Sequence, residues 1–176
     1  TGGTAAAVAQ LVESLGGRYI TAEDMGTTVR DMEWVRMETQ YVTGISRALG
    51  GSGDPSPVTA LGVYHGMKAC AREVYGRDSL SGLTVAIQGV GHVGYHLGQH
   101  LHAAGCKLVV ADIDRENLDR AARDMGAEVV EGDAIFDAAC DVFAPCARGG
   151  VLNDKTIPRL KCKIIAGAAN NQLEDE

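Results

Sequence analysis

Residues 83–114 read L-T-V-A-I-Q-G-V-G-H-V-G-Y-H-L-G-Q-H-L-H-A-A-G-C-K-L-V-V-A-D-I-D. An apolar run, Leu83 to Ile87, opens almost at once into Gly89-Val90-Gly91-His92-Val93-Gly94. Val93, Leu97 and Leu101 then recur every four residues, as on one helix face, and a second apolar run, Leu108 to Ala111, ends in Asp112. Strand, glycine turn, helix, strand and acid follow one another as in a dinucleotide-binding fingerprint. Gly89 permits the tight turn, Gly91 lets the backbone approach a pyrophosphate, and Gly94 lets helix and strand pack closely. The helix start at His92 and Val93 offers N–H groups and the positive dipole end to phosphates. Asp112, 23 residues after Gly89, can accept both ribose hydroxyls of the adenosine half, and its charge would repel a 2′-phosphate. The pattern therefore favours NAD over NADP. Arg115, three residues further on, is the cation that could reach such a phosphate. With 23 glycines in the chain, the G-x-G-x-x-G spacing alone would be weak. Its context separates it from a plain βαβ unit with a glycine-rich turn.

Composition narrows the classes. The net charge is −7, from 16 basic and 23 acidic residues, and no Lys/Arg cluster occurs, which argues against nucleic acid or an anionic membrane as partner. No apolar run approaches the roughly 20 residues that span a bilayer. The five cysteines form no C-x-x-C pair, and an odd, scattered set in an α/β chain implies reduced thiols and a cytoplasmic location.

Strand and helix patterns alternate along the chain, which predicts an α/β fold built on a doubly wound parallel sheet. Val8, Leu11, Val12 and Leu15 predict a first helix, ended by Gly16-Gly17. Arg18 to Thr21 is a short strand candidate. Thr28, with Asp31 three residues on, predicts a helix start, with Met32, Val35 and Thr39 on one face. Trp34 is expected to serve packing. Residues 43–56 form a long glycine-rich loop, functional or hinge-like. Ser56-Pro57 predicts the start of a helix reaching Tyr75, packed on a sheet through Ala60, Val63, Met67, Ala71 and Val74. Further strands are expected at Glu128–Val130, Cys140–Pro145 and Lys163–Ala166. His92, His96 and His100 share a face at metal-ligand spacing, but the core-facing stripe beside them predicts a solvent or helix-facing row and no metal. The acid pairs Asp112/Asp114 and Asp137/Asp141 are expected on a strand tip and a solvated loop, not as a catalytic dyad.

Several motifs carry a wider resemblance: G-R-Y-I-T-A-E-D-M-G-T-T (Gly17 to Thr28), Y-V-T-G (Tyr41 to Gly44) and G-D-P-S-P-V-T-A-L-G-V-Y (Gly53 to Tyr64). D-V-F-A-P-C-A (Asp141 to Ala147) and A-G-A-A-N-N-Q-L (Ala166 to Leu173) extend it. With the glycine turn, these resemble the Glu/Leu/Phe/Val amino acid dehydrogenases from Gly16 to Leu173. The resemblance implies reversible oxidative deamination of an L-amino acid, a small-molecule substrate, to its 2-oxo acid and ammonia, with hydride passing to the nicotinamide of NAD. It implies a branched-chain substrate, leucine foremost, with valine or phenylalanine as alternatives. Asp24 takes the role of the carboxylate exchanging protons with the substrate nitrogen. Thr59, Cys146, Ala147 and Asn170 join Gly89, Val90, Gly91, His92, Val93, Gly94 and Asp112 in contacting the cofactor, and Ala22 and Asn171 contact the substrate.

On this resemblance, residues 1–52 are the remnant of a substrate domain and hinge, and residues 53–176 a Rossmann-like NAD-binding domain. The family's glycine-rich lysine motif and its C-terminal helices have no counterpart here, so a fragment of a homo-oligomeric enzyme is expected, itself able only to bind NAD. Arg148 departs from the family's wording and could face the pyrophosphate or solvent. A non-catalytic NAD-binding module is the reading from a different class.

Overall fold

The computed structural model describes residues 2–24 and 26–175, with side chains from residue 6 onward; Met25, inside the Gly17–Thr28 motif, lies outside them. Two compact units divide at Pro55/Ser56.

In the second unit, β1 (Thr84–Gln88) is the middle of a five-stranded sheet. Its Val85, Ala86 and Ile87 are fully buried, as expected of a strand covered on both faces. β2 (Lys107–Ala111) and β3 (Glu128–Val129) extend the sheet on one side, β4 (Val142–Pro145) and β5 (Ile164–Ile165) on the other. The order is β3-β2-β1-β4-β5 and every pairing is parallel. Connections therefore run outward in opposite directions from the β1/β4 boundary, where open α/β sheets place their ligand crevice.

Alternation along the strands sorts the core into two layers. Val85, Ile87, Leu108, Val110, Val142 and Ala144 face the helices α3 (Ser56–Tyr75), α4 (His92–Ala103) and α5 (Arg115–Met125), through Ala60, Met67, Leu97, Leu101, Leu118 and Met125. Ala86, Val109 and Phe143 face the other way, where the 3₁₀ turn Gly132–Asp137 and Val151–Leu152 cover them in place of a long helix. The expected α3 face needs one correction, since Val74 at its end is 43% exposed. Asp141 and Asp137 are structural. Asp141 Oδ2 accepts the Thr84 N–H at 2.8 Å and Asp137 pairs with Arg159 at 2.6 Å, which holds its carboxyl below the usual range.

In the first unit, α1 (Gly2–Ser14) and α2 (Val29–Arg36) pack Ala9 against Met32, Val35 and Ile45, and Val12 is buried as well. Thr28 and Asp31 form a reciprocal cap, each side chain accepting the other's backbone N–H. Three expectations change here. Val8 and Leu11 are exposed, since Ala9 and Val12 form the packed stripe. Trp34 is 36% exposed, with Arg30 over its ring at 5.4 Å. Arg18–Thr21 is no strand; it makes one parallel bridge, Thr21 to Val42.

No helix among the described residues is long and apolar enough to cross a membrane. Leu97→Ala, emptying a fully buried site, is expected to lower unfolding free energy by about 2–5 kcal/mol. Leu61→Ala, at 41% exposure, should cost far less; denaturant titrations giving equal losses would contradict the layering.

Candidate functional site

Strand register brings the key residues of the second unit together. Gln88, last in β1, is level with Ala111 of β2 and Pro145 of β4, so Gly89, Asp112 and Cys146 follow side by side at the carboxyl edge. The Gly89 N–H donates to Ala111 O at 2.8 Å and the Cys146 N–H to Gln88 O at 2.7 Å, carrying the ladder one residue past the strands.

Gly89 turns the chain at φ +91°, a left-handed conformation that disfavours a side chain, and a Cβ there would lie 2.8 Å from that of Ala147. Gly94 is held closer still: its Cβ would lie 1.9 Å from Gly89 O, so α4 starts directly against the turn. Gly91 is the opposite case, with open space where a side chain would go, and as N-cap of α4 it has no capping side chain. A helix start with open space beside it suits an anion.

Asp112 stabilises this turn as well as bordering it. Its Oδ2 accepts the Val90 N–H at 2.7 Å and its Oδ1 the Asp114 N–H at 2.9 Å. Asp114 in turn caps α5 by accepting from Glu116 N–H at 2.9 Å. Arg120, whose guanidinium lies 4.0 Å over the Tyr95 ring, reaches Val90 O at 3.5 Å and braces the turn from α5. Arg120 lies outside the motif, and Gln88, just before the glycine turn, has its side-chain Oε1 buried without a partner among the described residues. Ile113 likewise lies outside the motif. It follows Asp112 with a fully exposed side chain, and an isolated isoleucine beyond a strand gives no signal until the tip is built.

Cys146 and Ala147 follow β4 beside the turn, and burial pushes the Cys146 thiol up to about 11, so it is neutral. The segment after β5 is laced to that after β4: Ala169 N–H donates to Pro145 O, Gly150 N–H to Asn171 O and Leu152 N–H to Gln172 O. Asn170 and Asn171 are exposed there, Asn171 at φ +46°, which asparagine tolerates better than most residues. Thr59 is exposed in the first turn of α3, and Arg148 is exposed. Arg115 is paired with Asp119 along α5 at 3.0 Å. His100 lies against Tyr64 of α3, ring centroids 5.7 Å apart, and His96 bonds Gln99.

In the first unit, Ala22 and Asp24 are exposed on a turn closed by Thr27. The Thr27 hydroxyl accepts the Asp24 N–H at 2.8 Å, and the Thr27 N–H donates to Asp24 O at 2.9 Å. Thr21 anchors the turn through bonds with Tyr41 O and Thr43 N–H.

The sequence pattern of the Glutamate/Leucine/Phenylalanine/Valine dehydrogenase family matches residues 50–116, from the glycine-rich loop through the turn to α5. Over 170 residues the chain is 61% identical to leucine dehydrogenase of Thermoactinomyces intermedius, covering 97% of this chain and 46% of that protein. The chain belongs to this family. It is also 47% identical to phenylalanine dehydrogenase of Lysinibacillus sphaericus, covering 96% of this chain and 46% of that one. Among solved structures, L-tryptophan dehydrogenase from Nostoc punctiforme superimposes with a TM-score of 0.74 at 43% identity, over 100% of this chain and 49% of that chain. The chain thus spans about half the length of the curated relatives it matches.

Two glycine substitutions test the turn. Gly94→Ala should destabilise the fold by about 1–3 kcal/mol, because a backbone oxygen occupies the new methyl's place. Gly91→Ala, with space around it, should stay within about 0.5 kcal/mol of the unaltered protein in thermal unfolding. The reverse order would contradict the packing.

Proposed function

We propose that the protein carrying this chain is an NAD-dependent dehydrogenase that converts a branched-chain L-amino acid, leucine foremost, reversibly to its 2-oxo acid and ammonia. The observation that carries the reading is the convergence of Gly89, Asp112, Cys146 and Ala147 on one sheet edge, within a chain 61% identical to a leucine dehydrogenase.

The residues fit the cofactor. The open space at Gly91 and the α4 start with no capping side chain suit a pyrophosphate, received by the turn from Gly89 and Val90 to His92, Val93 and Gly94. Each Asp112 oxygen accepts one backbone N–H and keeps acceptor capacity for a ribose hydroxyl. Ile113 offers an apolar surface for the adenine next to that ribose. Thr59, Asn170 and the Cys146–Ala147 backbone serve the nicotinamide end; Ala22 and Asn171 serve the substrate. Bound NAD supplies the acceptor for the hydride that leaves the substrate α-carbon. Asp24 takes a proton from the substrate ammonium, since the nitrogen must be freed of its charge before hydride can depart, and returns it in the reverse reaction. The parent protein is read as a homo-oligomer.

The test is an assay of NADH formation with L-leucine, L-valine and L-phenylalanine on the whole protein. Leucine should give the highest kcat/KM, and Asp24→Asn should lower kcat by about 10²–10⁴-fold with NAD affinity kept. Preference for phenylalanine would overturn the substrate assignment, and an active Asp24→Asn variant the role of the carboxylate.

A further inference from the structure

Two cysteines lie away from the crevice. Cys140 leads into β4 and Cys162 into β5, at the amino-terminal edge of the sheet, opposite Gly89 and Asp112. β4 and β5 are parallel neighbours paired at Val142 and Ile164, and each cysteine stands two residues ahead of that pair. The N–H groups of Lys163 and Ile164 donate to Asp141 O at 3.2 and 3.3 Å, so the lead-in segments also run side by side. Both cysteine side chains pack against one cluster, that of Ala86, Phe136, Phe143 and Leu152, and both keep partial access to solvent. Register and packing therefore set the two side chains on the same face of neighbouring segments, against one cluster. Adjacent strands run about 4.7–4.9 Å apart, inside the Cα separation of about 4.4–6.8 Å that a disulfide needs.

We propose that Cys140 and Cys162 form a redox-active dithiol, a modification site that closes to a disulfide with peroxide and reopens with a thiol reductant. The two sulfurs have unequal roles. The neighbouring Cys140 thiol, helped by backbone N–H groups of Phe143, Cys162 and Ile164, lowers the Cys162 thiol against the effect of burial. The same proximity, with burial, raises the Cys140 thiol. Facing the pair are Asp141 from the β4 lead-in and Tyr75 from α3, the latter raised mainly by burial and flanked by Lys163 at 5.9 Å from its ring. Cys162 is therefore the more readily ionised sulfur and the attacking thiolate, and Cys140 the resolving thiol. Cys106 and Cys146, each pushed up to about 11 by burial, stay protonated and inert. A structural zinc would need four ligands, and among the described residues no histidine or carboxylate completes even a set of three with these sulfurs.

The chemistry balances with a peroxide as oxidant. The Cys162 thiolate attacks one peroxide oxygen, the O–O bond breaks and hydroxide leaves, giving a sulfenic acid. The Cys140 sulfur then displaces the hydroxyl from that sulfur, its proton departing with the hydroxyl as water while the S–S bond forms. Two electrons pass from the two sulfurs to the peroxide.

The test treats the reduced, folded protein with hydrogen peroxide, then alkylates it in denaturant and maps the peptides. The peptides of Cys140 and Cys162 should emerge linked, lighter by two hydrogens and separable with dithiothreitol, and titratable thiols should fall from five by two, to three. Before oxidation, Cys162 should alkylate with a midpoint below that of an ordinary thiol, moving toward the ordinary value in Cys140→Ser. A link between any other pair, Cys162 driven to sulfinic acid without a link, or all five thiols surviving would each overturn the proposal. Mapping of the unaltered protein decides the matter even if Cys140→Ser fails to fold.

Discussion

The contact between Gly94 and the Gly89 carbonyl is the constraint on which the rest of the second unit turns. With no room for even one methyl between them, α4 must begin where β1 ends, and its first turn is aimed along the carboxyl edge of the sheet. The Asp112 carboxylate fixes the loop from the other side by accepting the Val90 N–H, and Arg120 steadies the Val90 carbonyl. The register of β1 with β2 and β4 then sets Asp112 and Cys146 at the same height as Gly89. A change in any of these would move the others, because the strands are buried on both faces and have no slack to slide.

Much of this was legible in the sequence because it is local or periodic. The glycine turn, the four-residue spacing of Val93, Leu97 and Leu101, and the acid closing the second apolar run each lie inside one βαβ unit, where neighbours in sequence are neighbours in space. The Thr28–Asp31 cap is likewise complete within four residues. What the sequence hid depends on partners. A run such as Arg18–Thr21 looks like a strand from its residue types, yet finds only Val42 to bridge. Trp34 and Leu11 are apolar without being enclosed, and periodicity says nothing about what lies opposite a helix face. The Phe143 side of the sheet is covered by a short 3₁₀ turn whose sequence carries no amphipathic pattern to announce it.

The candidate site divides in the same way. Gly89, Gly91, Gly94 and Asp112 could be found from spacing, whereas Ile113, Gln88 and Arg120 acquire meaning only when strand tips and helix flanks are set side by side. Cys140 and Cys162 are the clearest case. They lack any recognisable spacing, and the parallel pairing of β4 with β5 is what brings them together. The roles proposed for Asp24, Thr59, Asn170 and Asn171 come from the resemblance alone and from neither spacing nor burial, while the bonds between Thr27 and Asp24 hold the ends of that turn together.

The most direct test of the account is a calorimetric comparison of NAD and NADP binding to the unaltered protein and to Asp112→Asn. Asparagine can still accept the Val90 N–H through its one oxygen, at the loss of the Asp114 N–H bond, so the glycine turn keeps its brace while the charge is removed. The account predicts that the unaltered protein binds NAD at least about tenfold more tightly than NADP, a difference of about 1.4 kcal/mol, and that Asp112→Asn narrows this gap. Equal affinities in the unaltered protein would contradict it.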